Sequence, residues 1–476
     1  MHMRLKTRVF FALAAIILIC VAGRPAFAEN RGVEDASLIR LTLKEAVSLA
    51  LKTNRPLSAA RNTLQSTQYA LHAARSDFDF SYRPSANVGA SDGDELLGAG
   101  VLVEKRFLYG PRFQLTPLVS RSAESTNGLV DLALEIPLMR GWGKTVNKDP
   151  INQSAFGVRT SSRNLHQARV ETTIQTVSAV YDIIEQKELI RLLEKQVRAM
   201  ELHAETARLK KRVELATAMD VYRAMIRLKD VQDSLSAAKA GLVESENRLK
   251  RILTLPLEQA IDVTAAYACQ PIGVSIEAGI DSALSQRPEI FQAKDALAEA
   301  ERQVEVARHH LKPELNLLLD YERLAEDDDF GFSVDYPEER WQINLVSSTD
   351  WSRTREKARY RQRLLDLENA SLRLQALRDQ IAAEVRNQYE VLESWAARIR
   401  IKEEQIRQAR GKQMLSEIKF NHSMADNFDL IEAESELFQA KAGLLSAKTA
   451  YIVNQYQLQA TMGKLIDQEG KLEVAL

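Results

Sequence analysis

The chain has little of what staples or thickens a globular core. Of its 476 residues two are cysteines, Cys20 and Cys269, and only the second lies beyond the N-terminal apolar run. A single cysteine excludes an internal disulfide or a cysteine metal cluster in the exported part. Aromatics are 6% of residues against 27% charged, the composition of long helices with solvated faces. An excess of one charge is also missing: 64 basic residues balance 65 acidic ones, leaving no field to draw nucleic acid. After residue 28 no stretch approaches the roughly 18 uninterrupted apolar residues of a membrane-spanning helix, so any crossing must be made by strands. Gly-rich phosphate loops and nucleophile elbows are lacking, which argues against an enzyme and against a cofactor. The neighbours His309 and His310 would point about 100° apart on a helix and form no chelate, so no metal site is expected.

Proline is missing between Pro150 and Pro256 and after Pro337, while Pro84, Pro111, Pro117, Pro137 and Pro150 cluster. Long helices therefore alternate with short non-helical inserts. At the N-terminus Arg4, Lys6 and Arg8, the apolar run from Phe10 to Ala22, and Ala26-Phe27-Ala28 read as a secretory signal peptide over residues 1–28.

What is present is a pattern stated twice. Val221, Leu228, Leu235, Leu242 and Leu249 recur every seventh residue, and Leu430, Leu437, Leu444, Tyr451 and Leu458 repeat the ladder. A second stripe, Ala224, Val231 and Ala238, returns as Ala433, Ala440 and Ala447. Large and small residues at heptad spacing commit helices to long supercoiled contacts. The expected organisation is two structural repeats, 29–275 and 276–476. The first has an opening helix at 43–81, strands within 84–140 and a helical hairpin at 151–253. The second has an opening helix at 276–311, strands within 313–348, a hairpin at 353–463 and a short C-terminal tail. Alternation in Val101-Leu102-Val103-Glu104, Phe113-Gln114-Leu115, Val130 to Ile136, Leu315 to Tyr321 and Trp341 to Val346 marks the strands. An acidic loop with Glu326, Asp327, Asp328, Asp329 and Asp335 separates the last two. The fold class is mainly α, with a β-barrel part.

About four strands per protomer cannot close a membrane barrel, because an open sheet leaves unpaired backbone groups in lipid. Three copies would share a barrel of about twelve strands, with the helices continuing as a hollow cylinder. The rival reading is a periplasmic coiled-coil adaptor or scaffold whose strands form a small soluble domain.

Leu41-Thr42-Leu43-Lys44-Glu45-Ala46 and Ile136-Pro137-Leu138-Met139-Arg140-Gly141-Trp142-Gly143 resemble the opening and the strand-to-helix signature of the TolC-type outer-membrane efflux family. Asp220-Val221-Tyr222-Arg223-Ala224 and Asp429-Leu430-Ile431-Glu432-Ala433 are similar to the segments that follow its hairpin tips. The resemblance implies a homotrimeric exit duct of a tripartite efflux or type I secretion system, located in the outer membrane with its helices in the periplasm. Its implied partners are outer-membrane lipid, a periplasmic adaptor (membrane fusion protein) and an inner-membrane pump. Carried over by residue, the family's acidic pore entrance falls on Asp429 and Glu432, with Asp220 at the matching point of the first hairpin. The adaptor-contact tip falls on Leu215, Ala216, Thr217 and Ala218, and on His422, Ser423 and Met424. Where the family often carries glycine before the tip aspartate, this chain has Glu214 and Ser423, and the family's closing latch positions hold Phe420 and Ala425.

Overall fold

The computed structural model describes residues 38–91, 94–121, 126–271, 273–327, 338–422 and 424–466. The signal peptide, the acidic residues Asp328, Asp329 and Asp335, the tip residue Ser423 and the tail from 467 lie outside the described residues.

The chain starts with β1 (Ile39–Thr42) and α1 (Leu43–Thr53). Thr42 and Glu45 form a reciprocal capping box that satisfies two of the helix's orphan amides. A single opening helix over 43–81 was expected, and the structure corrects this. Asn54 ends α1, its side chain accepts from the Leu57 amide, and Pro56 occupies the first turn of α2 (Arg55–Ser76). The Asn54 Nδ2 also donates to the Ile252 carbonyl at 3.0 Å, which fixes the break against the far end of the first hairpin. Next come β2 (Phe80–Ser91), β3 (Asp94–Arg106), β4 (Arg112–Arg121) and β5 (Thr126–Pro137), then a short α3 (Lys144–Asn147). The 64-residue α4 (Asp149–Arg212) runs roughly 95 Å and turns into α5 (Ala218–Leu253). The second half follows with β6 (Ile261–Thr264), α6 (Ile276–Gln286), α7 (Pro288–His310), β7 (Asn316–Asp327), β8 (Glu338–Val346), the 68-residue α8 (Thr354–Asn421) and α9 (Asn427–Thr461). Its opening helix also breaks, at Arg287 before Pro288.

The heptad ladders are packing seams. Val221, Ala224, Val231 and Ala238 of α5 are buried against Leu193, Met200, Ala204 and Ala207 of α4. On α9, Leu430, Ala433, Leu437, Ala440, Ala447, Tyr451 and Leu458 are likewise buried. Because α5 is about half the length of α4, it covers one end while α2 covers the other; α9 and α7 divide α8 in the same way. The helices thus stand as four columns in one layer: α2 and α5, then α4, then α7 and α9, then α8. A two-stranded parallel sheet, β1 with β6, closes the middle of the layer around Ala46, Ala50, Val180, Ile183, Leu249 and Leu253.

The outer sheet is the main departure. It holds six antiparallel strands in the order β2-β3-β4-β5-β7-β8, where about four were expected. The additional pairing comes from β2 and the upper part of β3, which pair from Phe80↔Lys105 to Ser91↔Asp94.

Candidate functional site

The strand register sorts the sheet into two faces. One rung crosses all six strands as Tyr82, Val103, Leu115, Leu132, Tyr321 and Trp341, and the adjoining one as Phe80, Lys105, Phe113, Leu134, Leu319 and Ile343. Side chains directly opposite in antiparallel strands share a face, so this side is an almost unbroken apolar surface. The alternate rung reads Ser81, Glu104, Gln114, Ala133, Asp320 and Gln342, and its neighbour contains Glu135, Leu318 and Asn344. Glu104, Gln114, Glu135, Asn316 and Asn344 all fall on this polar face. Lipid on one side and water on the other is the arrangement such a sheet fits.

Both layers end bare on the same two sides. Among the described residues, the edge strands β2 and β8 have no partner beyond them in the sheet. The flanking helix columns continue directly from them, α2 leading into β2 and α8 following β8. Along α8, the buried Ile381 and Val385 pack against α6 and α7, and Leu392 packs against α9; Leu374 is buried on the same line. At about 100° per residue, the exposed Leu365, Leu372, Ile401 and Leu415 lie within about 40° of a line on the opposite face. The other flank exposes Tyr69, Tyr222, Ile226 and Val243.

A rigid corner joins sheet to helices. Gly110, Gly141 and Gly143 all have positive φ, and a Cβ on Gly110 would run into the Gly141 carbonyl. The Gly143 amide donates to the Tyr109 carbonyl at 2.8 Å, and Asn147 Nδ2 donates to the carbonyls of Gly141 and Gly143 at 2.6 and 3.0 Å. His309 Nε2 accepts the Gly141 amide at 3.2 Å. Burial, with Lys312 and His310 nearby, pushes this imidazole below its ordinary pKa and so favours the neutral acceptor form. His309 therefore has a structural use that spacing could not show.

At the opposite end, two hairpin tips lie side by side. The α4–α5 turn places Glu214 at φ 61, a left-handed conformation that glycine adopts without cost. Thr217 and Asp220 then form a capping box: Asp220 Oδ2 accepts from the Thr217 amide at 2.8 Å and hydroxyl at 2.7 Å, while Thr217 Oγ1 accepts from the Asp220 amide. These bonds hold the Asp220 carboxyl below its ordinary pKa, with Arg223 adding to the effect. In the second tip Asp426 caps α9 through the amides of Phe428 and Asp429 at 2.9 Å. Asp429, Glu432 and Glu436 follow one another on an exposed stripe of that helix. Lys412 Nζ of α8 donates to Glu436 at 2.7 Å; that bond, and the fields of Glu436, Glu432 and Asp429, raise the lysine's pKa.

The tips are tied together by contacts from residues far apart in the chain. Buried His203 on α4 meets Glu434 on α9 at 2.9 Å, and its carbonyl accepts from Asn427 Nδ2 at 3.2 Å. Arg227 donates to the Ser435 hydroxyl at 3.2 Å, Arg223 lies 5.5 Å from the Phe428 ring centre, and Lys210 lies 3.6 Å from that of Phe420. His203 was missed in the sequence although it falls in step with the apolar Met200, Ala204 and Ala207.

Residues 279–464 match the family model described as outer membrane efflux protein. Outer membrane efflux protein BepC of Brucella suis biovar 1 (strain 1330) is 23% identical over 363 residues, covering 74% of this chain and 75% of the relative. Among solved structures, the outer-membrane channel OprN superposes with a TM-score of 0.70 at 17% identity, covering 89% of this chain and 90% of OprN. The outer membrane protein VceC of Vibrio cholerae gives 0.69 at 14% identity, covering 88% and 96%. Over residues 279–464 the chain carries the domain of the outer membrane efflux protein family. The efflux protein is a transport channel of the outer membrane, with its helical part in the periplasm. The rival adaptor fails on the sheet: a soluble domain would have to cover the apolar face that these rungs leave open.

In the efflux protein the expected tip residues divide by local role. Leu215 and Met424 are the most exposed apolar side chains there, at 77% and 79%. Thr217 and Ala218 start α5, and Ala216 leads into it. His422 ends α8, and the Met424 amide donates to the Lys419 carbonyl at 2.7 Å. Asp220 serves its own helix, so Asp220→Ala should lower the stability of the tip by about 1 kcal/mol. Glu214→Gly should raise it by a similar amount by relieving the left-handed strain. Amide hydrogen exchange over 210–222 would read both: faster exchange in the first variant, slower in the second. The carboxylate's share of stability is fully present above the ordinary aspartate pKa and is lost as pH falls through its lowered folded value.

Proposed function

We propose that three copies of the efflux protein join flank to flank into one passive exit duct. The observation that supports this reading is the pair of bare flanks, sheet edge above and helix column below, on the same two sides of the protomer. An edge strand in lipid leaves a row of unpaired amides and carbonyls, each costing several kcal/mol, and only closure with further strands removes them. A run of six strands that alternate in direction can close antiparallel, with β8 of one copy beside β2 of the next. The same ring brings the exposed stripe of α8 against the next copy's α2 and α5.

In this duct the chain comprises a leader, 1–28, and two repeats, 29–275 and 276–476. Asp429 and Glu432 would stand as rings of carboxylates at the entrance and favour cations. Asp220 would lie beside them as a helix cap. Leu215, Ala216, Thr217, Ala218, His422, Ser423 and Met424 would meet a periplasmic adaptor, with an inner-membrane pump supplying the energy. Their support is the sequence resemblance together with the exposed apolar side chains at the turns.

Native mass and single-channel conductance of the detergent-extracted protein test the proposal. A mass of three copies and stable, cation-preferring pores are expected. A water-soluble monomer that never conducts would overturn it.

A further inference from the structure

We infer that the outlet through the outer membrane is an eighteen-stranded barrel as wide as the helical tube beneath it, so bulky solutes are not sieved at the exit. The inference rests on the three-copy duct, with six strands from each of three copies (6 × 3 = 18).

Width supports it first. Strands about 4.8 Å apart and tilted by about 40° each take up about 6 Å of circumference, so six span roughly 38 Å. Beneath them, each copy contributes four helix columns at about 9 to 10 Å, roughly 38 Å again. Four strands would span only about 25 Å and would force the wall inward at the glycine corner. With six, the sheet and the helix layer match and the duct can keep its bore. An eighteen-stranded ring of this geometry has a backbone radius of about 18 Å, against about 12 Å for twelve strands. Barrels of 16 to 18 strands enclose open aqueous channels.

The inner wall supports it second. Every aromatic residue of the six strands, Phe80, Tyr82, Phe113, Tyr321 and Trp341, lies on the apolar face. Among the described residues the polar face carries small or flexible side chains instead, including Ser81, Gly98, Gly100, Ser120 and Ala133. That wall leaves the bore open to large amphiphilic molecules, and places any size selection at the hairpin tips.

Spin-label distances in the intact protein test the inference. With Cys269→Ser as background, nitroxides would be placed at Val130→Cys, on the outer face, and at Ala133→Cys, on the inner face. In a threefold ring the labels sit √3 radii apart, and averaging the two positions cancels the label's reach. A mean of about 31 Å is expected for eighteen strands. A mean near 21 Å with a three-copy mass would overturn the wide outlet and leave the duct standing. A mass other than three copies would instead overturn the duct reading on which it rests.

Discussion

Leu132→Arg should abolish assembly in the outer membrane, whereas Ala133→Arg, one residue on, should leave a folded trimer that conducts. Leu132 sits mid-strand in β5 in the rung with Tyr82, Val103, Leu115, Tyr321 and Trp341. An arginine on the lipid face at the bilayer midplane costs about 2 to 4 kcal/mol per copy, and three copies carry it at once. Ala133 lies opposite Gln114 and Asp320 on the polar face, where a guanidinium meets water and a carboxylate. The check is heat-resistant trimer in membrane fractions, followed by conductance. Equal loss in both variants would contradict the assignment of faces, and with it the barrel. A fall in cation preference confined to Ala133→Arg would further place that face in the conducting path.

The contrast between these neighbours is readable in the sequence because strand periodicity is local. The ladders on α5 and α9 are readable for the same reason: a helix places residues seven apart on one side whatever it packs against. Punctuation is local too. Asn54-Arg55-Pro56 is a cap followed by a first-turn proline, enough to divide the opening helix. β2 hid for a different reason. Its alternation of Phe80, Tyr82, Pro84, Ala86 and Val88 with Ser81, Arg83, Ser85, Asn87 and Gly89 is regular, but small and polar residues carry little strand propensity. Only pairing with β3 makes that segment a strand. Contacts between distant segments lie beyond local pattern altogether. Four residues of β1 pair with four of β6 more than 200 positions away, and His203 finds Glu434 across a gap of 231. Family resemblance pointed to the tips, yet the residues tying them together follow from packing.

Leu372→Glu combined with Ile401→Glu should give a stable, helical protomer that no longer forms the trimer. Both side chains are exposed in the single chain and lie on the face of α8 turned away from α6, α7 and α9. The fold of one copy therefore does not depend on them. In the ring each buries an aliphatic side chain against the next copy, about 1.5 to 3 kcal/mol apiece. A glutamate there must instead be desolvated without a partner, a further cost of several kcal/mol. Three interfaces carry the change, so the loss should be complete rather than graded. Ile381→Ala supplies the opposite case. Ile381 is fully buried among Ala283, Ile290 and Val385, and its truncation should cost the protomer itself about 2 to 5 kcal/mol. Thermal melting and native mass separate the two: the double variant keeps the protomer's melting behaviour and loses the three-copy mass, whereas Ile381→Ala melts early but still assembles below its transition. If the double variant assembled as the natural chain does, α8 would not be the seam between copies. The flank-to-flank ring would then have to be given up, however well the strand edges match.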